Sequence, residues 1–219
     1  MKSKNLARKL FAGSVVLEKL NSPVNGEITI LEELFGEKRI SIGGLTQSGR
    51  IIENIWDKGI KRLVEVRPEK VLLLGFGGGS AAWVVRRRFP KAKIKAVEID
   101  PLILMLAKKY FRVKEIRNLS LVIADAAKWI KKSKEKFDLV LIDTYQGEKI
   151  PENCQTKEFF RSIKSLLSPR GIAIFNHLYS HQEKIQAENF RQRLFDVFPR
   201  LTSLTTLANI LFKVSSEEA

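Results

Sequence analysis

The 219-residue chain has one cysteine, Cys154, and only two histidines, His177 and His181. A single thiol excludes an intrachain disulfide framework and a cysteine metal cluster. The histidines stand four apart, but Tyr179-Ser180 between them reads as a turn rather than a helix. No third ligand is placed by spacing, so no metal is expected. Nor does any stretch reach the roughly 18 apolar residues of a membrane span. The apolar run from Leu10 to Leu17 follows a basic start and is cut off by Glu18 and Lys19, with no small-residue cleavage site after it. It reads as an amphipathic leading segment over residues 1–20. With one thiol and no export signal, the reading is a cytoplasmic protein outside any membrane.

Acids are also scarce, 24 against 39 lysines and arginines, for a net charge of +15. Such a field attracts anions. Yet no arginine-rich groove with interleaved aromatics and no recognised nucleic-acid module is present, and the densest basic run, residues 128–136, reads as a solvated loop. Nucleic acid is therefore not the expected partner.

What the chain does have is a βαβ unit, VLLLGFGGGSAAWVVRRRFPKAKIKAVEID at 71–100. Val71–Leu74 is an unbroken apolar run, the mark of a strand buried on both faces. Gly75, Gly77 and Gly79 follow at alternate positions, where backbone can take positive φ and lie close to a ligand. Residues 80–89 read as a helix closed by Pro90, and residues 93–99 as the next strand. That strand carries Glu98, 23 positions beyond Gly75, where a carboxylate can accept both hydroxyls of a ribose.

Before this unit, residues 21–47 read as a two-stranded ribbon, 27–32 and 38–42, with turns at 35–37 and 43–44. Such a ribbon is marginal alone and is expected to pack on the body or to pair across a homodimer. Residues 49–63 read as a helix with Ile51, Ile52, Ile55, Trp56 and Ile60 on one side. After the unit come a helix at 101–110 opened by Pro101, a strand at 119–123, a short helix to 130 and a strand at 137–142 ending in Asp143. A loop at 144–153, a helix at 156–167, a turn at 168–171, a strand at 172–176 and a helix at 182–198 follow. The last two strands, 201–207 and 209–214, form a hairpin. The expectation is an α/β fold: a doubly wound, seven-stranded, mostly parallel sheet with a small N-terminal β-ribbon. Its units are 1–20, 21–68 and 69–219. The acids Glu98, Asp100, Asp125 and Asp143 all fall at the carboxyl ends of strands, where ligands bind in such sheets.

Several segments carry a resemblance. GGLTQSG at 43–49, LLGFGGGS at 73–80, VEIDP at 97–101, ADA at 124–126 and FDLVLIDTYQGEKIP at 137–151 resemble the spermidine synthase group of aminopropyltransferases. That group lies within the seven-stranded class I S-adenosylmethionine-dependent transferases. The resemblance implies a donor site built from Gln47, the four glycines 75, 77, 78 and 79, Glu98, Ile99, Asp125, Ala126 and Asp143. Glu98 would hold the ribose. Asp125 would accept from the adenine amino group beside Ala126, although an aspartate at that point also suits a helix N-cap. Asp143 would take the proton of an attacking amine, with Tyr145 and Gln146 facing the acceptor. The implied donor is S-adenosylmethionine or its decarboxylated form, and the implied acceptor a small amine or other nucleophile.

Three positions depart from the pattern. Gly78 stands where the family has an aspartate for the donor's ammonium. Gln146 replaces a second loop acid, and residues 48–56, SGRIIENIW, replace an acidic, tyrosine-rich segment. Methyl transfer to a small molecule and a non-catalytic nucleoside-binding homologue therefore stand beside alkyl transfer as readings. The loop DTYQ does not match the type found in DNA amino-methylating enzymes.

Overall fold

The computed structural model describes residues 13–215. Four antiparallel strands, β1 (Ser14–Ser22), β2 (Gly26–Glu33), β3 (Lys38–Ile42) and β4 (Leu45–Ser48), form an N-terminal sheet in chain order. Helix α1 (Arg50–Leu63) leads to the large sheet. That sheet is built from β5 (Lys70–Leu74), β6 (Lys93–Glu98), β7 (Leu119–Ile123), β8 (Phe137–Ile142), β9 (Leu167–Leu178), β10 (Leu201–Thr205) and β11 (Asn209–Ser215). Between the strands lie α2 (Ser80–Arg88), α3 (Pro101–Tyr110), α4 (Ala126–Lys132), α5 (Lys157–Leu166) and α6 (Lys184–Phe195).

The strand order is β10-β11-β9-β8-β5-β6-β7. Strands β9, β8, β5, β6 and β7 run parallel, while β11 is antiparallel to both of its neighbours. This is the seven-stranded, mostly parallel α/β sheet that the alternation of apolar runs and helical spacings predicts. The two faces are read directly from the strands. Leu72, Leu74, Val140, Ile142, Ala173 and Phe175 pack under α4, α5 and α6. Val71, Leu73, Leu139, Leu141, Ile172 and Ile174 pack under α1, α2 and α3. Consecutive side chains in a strand point to opposite faces, so both faces must be apolar when both carry helices.

The N-terminal unit differs from the expected two-stranded ribbon. Residues 1–12 of the expected leading segment lie outside the described residues, and Ser14–Ser22 is a strand that pairs with β2. A bulge between Val16 and Glu18 interrupts its alternation. Leu17 and Leu20, three positions apart, then both reach the cluster of Ile28, Ile30, Ile40 and Ile42. A bulged strand thus imitates helical spacing. The same cluster includes Ile103 and Leu106 of α3, so the small sheet rests on this helix of the larger α/β unit.

Asp100 fixes this contact. It is fully buried, and its Oδ1 accepts from the Leu102 N–H (2.9 Å) as the N-cap of α3. Its Oδ2 accepts from Ser22 Oγ (2.5 Å) and Asn25 Nδ2 (2.7 Å) in the β1–β2 turn. The turn expected at 168–171 is an irregularity within β9, whose pairing jumps from Leu167 to Ile172 along β8. Among the described residues no helix is long and apolar enough to cross a membrane.

Candidate functional site

Strand order reverses at β5: β6 and β7 lie on one side of it, β8 and β9 on the other. Connections leaving the two sides must part there, which opens a crevice at the carboxyl ends of the strands. The crevice is lined by Asn25, Gln47, Gly75, Gly77, Glu98, Ile99, Asp125, Ala126, Asp143, Tyr145 and Gln146, with Trp56, Asn153 and Cys154. Of the twelve residues expected at a site, ten line it. Gly78 and Gly79 do not.

The glycine turn explains that division. Gly75 has φ +85°, and a Cβ there would run into the backbone carbonyl oxygen of Asp143. The turn leaving β5 and the loop leaving β8 therefore touch backbone to backbone. Gly78 is pressed from behind: an added Cβ would meet Ser48 Cβ at 2.8 Å and the Phe111 ring at 3.1 Å. The Gly78 N–H donates to Ser48 Oγ, which in turn donates to the Gln47 carbonyl at 2.7 Å. The last strand of the small sheet thus occupies the space behind the turn. All four glycines serve close packing, and Gly75 and Gly77 also present bare backbone to the crevice.

Glu98 is buried at the end of β6. Its Oε2 accepts from the Phe76 N–H (3.0 Å) and the Gly77 N–H (3.1 Å), and its Oε1 from the Asp100 N–H (3.0 Å). Burial raises its pKa, against the pull of those three N–H groups. A carboxylate offers about four acceptor positions, so it can hold the turn in shape and still accept from a sugar hydroxyl.

Asp143 is the most perturbed acid. Asn176 Nδ2 donates to its Oδ1 (2.9 Å), and Trp56 Nε1 donates to its Oδ2 (3.3 Å). Burial pushes its pKa up to about 6, the two donors oppose the rise, and the negative charge of Glu98 adds to it. An acid so placed binds a proton more readily than an ordinary aspartate and suits a base role near neutral pH.

Asp125 performs the capping role: its Oδ1 accepts from the Lys128 N–H (2.9 Å) at the start of α4. Its Oδ2 accepts from Asn153 Nδ2 (3.2 Å). Gln47 reaches across to the 144–153 loop, donating through Nε2 to the Gly147 carbonyl (2.9 Å). The Tyr145 hydroxyl accepts from the Leu178 N–H (2.8 Å), and burial drives its pKa upward, so the ring forms a fixed wall. Cys154 is buried with a pKa pushed up to about 11, which leaves it an inert thiol. His177 packs against Phe190 (5.2 Å between ring centroids), and among the described residues no three His, Cys, Asp or Glu side chains gather as metal ligands.

Trp56 and Asn176 were not legible as site residues in the sequence. Trp56 lies on the apolar side of α1, and the only signal for Asn176 was a polar residue directly after the apolar run at residues 172–175.

Against protein families, residues 58–213 match the spermine/spermidine synthase domain. The chain belongs to this family. Within and around it, a polyamine aminopropyltransferase of Vibrio vulnificus is 29% identical over 165 residues, 72% of this chain and 55% of that protein. An eEF1A lysine and N-terminal methyltransferase homolog of Drosophila melanogaster is 31% identical over 152 residues, 65% of this chain and 22% of that protein. The spermidine synthase of Thermotoga maritima shares the fold, with a TM-score of 0.80 at 19% identity, over 92% of this chain and 73% of its own. The chain spans about half the length of the bacterial polyamine aminopropyltransferases it matches.

Proposed function

We propose that this chain moves an aminopropyl-type alkyl group from a decarboxylated S-adenosyl sulfonium donor to a small amine. One observation carries the reading. Among the described residues the crevice is lined by three carboxylates, Glu98, Asp125 and Asp143, and by no lysine or arginine, in a chain of net charge +15. A local field of opposite sign to that of the molecule selects for cations. Both an adenosyl sulfonium and an alkylamine are cations. A donor that retained its α-carboxylate would find no cationic side chain in this lining.

The residues divide the task by position. The crevice floor at Ile99 and Ala126 offers apolar surface to a base, Asp125 an acceptor beside it, and Glu98 an acceptor for the ribose. The donor supplies an electrophilic carbon next to sulfur with its own leaving group. Asp143 then orients the acceptor nitrogen and receives its proton, since only a neutral amine has the lone pair to attack. Tyr145, tied to the end of β9, and Gln47, tied to Gly147, hold the loop that closes over the acceptor.

Methyl transfer is favoured by a different observation. The crowding of Gly78 by Ser48 and Phe111 leaves no room there for a side chain that could grip the donor's tail. Calorimetric titration separates the two readings. S-adenosylmethionine, its decarboxylated form and methylthioadenosine are titrated into wild type and Glu98→Gln. The decarboxylated donor should bind at least tenfold more tightly than the carboxylated one, and Glu98→Gln should weaken all three about tenfold. Equal or tighter binding of the carboxylated donor overturns the aminopropyl reading.

A further inference from the structure

The terminal hairpin reaches the site through one residue. Asn209 opens β11, and its carbonyl accepts from the Thr206 N–H (2.8 Å) and Thr206 Oγ1 (3.0 Å), which fixes its backbone at the hairpin turn. Its side chain points inward: Asn209 Nδ2 donates to Asn176 Oδ1 (2.9 Å), and Asn176 Nδ2 donates to Asp143 Oδ1 (2.9 Å). Both asparagines are buried, Asn176 at 6% and Asn209 at 4% exposure, so neither can exchange its partner for bulk water.

We propose that Asn209 is a positioning residue that sets the orientation of the Asp143 carboxylate through Asn176. A primary amide has one donating and one accepting end, and the two orientations have almost the same shape. In one, Asn176 gives Asp143 an N–H. In the other, it turns a carbonyl oxygen against the carboxylate and repels it. An ionised Asp143 favours the first, whereas a protonated Asp143 accommodates either. Asn209 holds the first in both states, because its N–H presented to Asn176 demands an oxygen in return. The relay therefore delivers a donor to one oxygen of Asp143, while the Trp56 indole holds the other.

The surroundings give this orientation its weight. Asp143 faces Trp56 from α1, Glu98 from β6, Tyr145 from its own loop and Asn176 from β9. None of these is cationic, so N–H dipoles are what oppose the burial of its charge. Losing one, or reversing it, raises the proton affinity of Asp143 and turns its free lone pairs away from the acceptor side.

The inference rests on the proposed base role for its catalytic meaning but not for its test. Protein carrying carboxyl-13C aspartate is titrated by NMR, with the Asp143 signal assigned from its absence in Asp143→Asn. Asn209→Leu removes the partner, and Asn209→Asp demands the reverse orientation of Asn176. The proton affinity of Asp143 should rise about three- to tenfold in the leucine variant, the range expected for one buried hydrogen bond. It should rise further in the aspartate variant. The acid limb of the kcat/KM profile should move up in pH by the same amount, with little change in KM. An unchanged Asp143 titration in either folded variant overturns the positioning role. A shifted titration in a protein that turns over no donor upholds the relay and sinks the transferase reading alone. Turnover with an unshifted titration does the reverse.

Discussion

Replacing Asp143 by asparagine should make the protein more stable and unable to transfer. The wild-type carboxyl titrates near 3.8 when unfolded and at about 6 when folded. A gap of about two pH units corresponds to about 3 kcal/mol. The sign follows from which state holds the proton more tightly. The folded pKa is the higher, so the stabilising proton is fully in place below about pH 4 and is lost as pH rises through about 6. By pH 8 the folded protein bears the whole cost of a buried charge. Asparagine has the same shape and no charge to desolvate. Its amide, however, must face either Trp56 or Asn176, both donors, and one hydrogen bond of about 1 kcal/mol is lost.

The net expectation is a gain of about 2 kcal/mol at pH 8, or about 4–8 °C in Tm for a chain of this size. That gain should shrink to nearly nothing by pH 4.5, where the wild-type carboxyl is already protonated in the fold. Thermal unfolding of both proteins from pH 4.5 to 8 measures it, alongside transfer with the decarboxylated donor. A variant less stable than wild type at pH 8, or a difference that does not vary with pH, would refute the reasoning.

Two other substitutions probe how the crevice is built. Gly75→Ala should lower stability by about 3 kcal/mol or more, because a strained positive φ adds to the collision with the Asp143 carbonyl; a Tm within 2 °C of wild type would contradict the close approach of the two loops. Gln47→Ala should leave Tm nearly unchanged but raise the KM for the amine several-fold, since it frees the 144–153 loop from the small sheet at Gly147; unaltered steady-state kinetics would show that the tether has no part in holding the loop.

The large sheet was legible because its information is local. An apolar run such as Val71–Leu74 has one good use, a strand buried on both faces, and a glycine turn followed by an acid at the next strand end specifies the geometry of a crevice. The positions of Glu98, Asp125 and Asp143 at strand ends follow from the same alternation. The small sheet was harder, because the bulge in β1 breaks the period on which strand recognition depends.

Long-range convergence is where local reading stops. Trp56, Asp143, Asn176 and Asn209 are each at least 33 positions from the next, and they meet only because β8, β9 and β11 are neighbours in the sheet and α1 packs against it. The pKa of Asp143 is likewise a property of its burial, which no neighbouring residue in the chain encodes. Net charge shows the same divide. Composition sets the sign of the whole molecule's field, but folding gathers three carboxylates and no lysine or arginine into the described lining of one crevice. Coulomb interactions there are set by distance and local dielectric, so it is that lining, more than the sum over the chain, that governs what can bind.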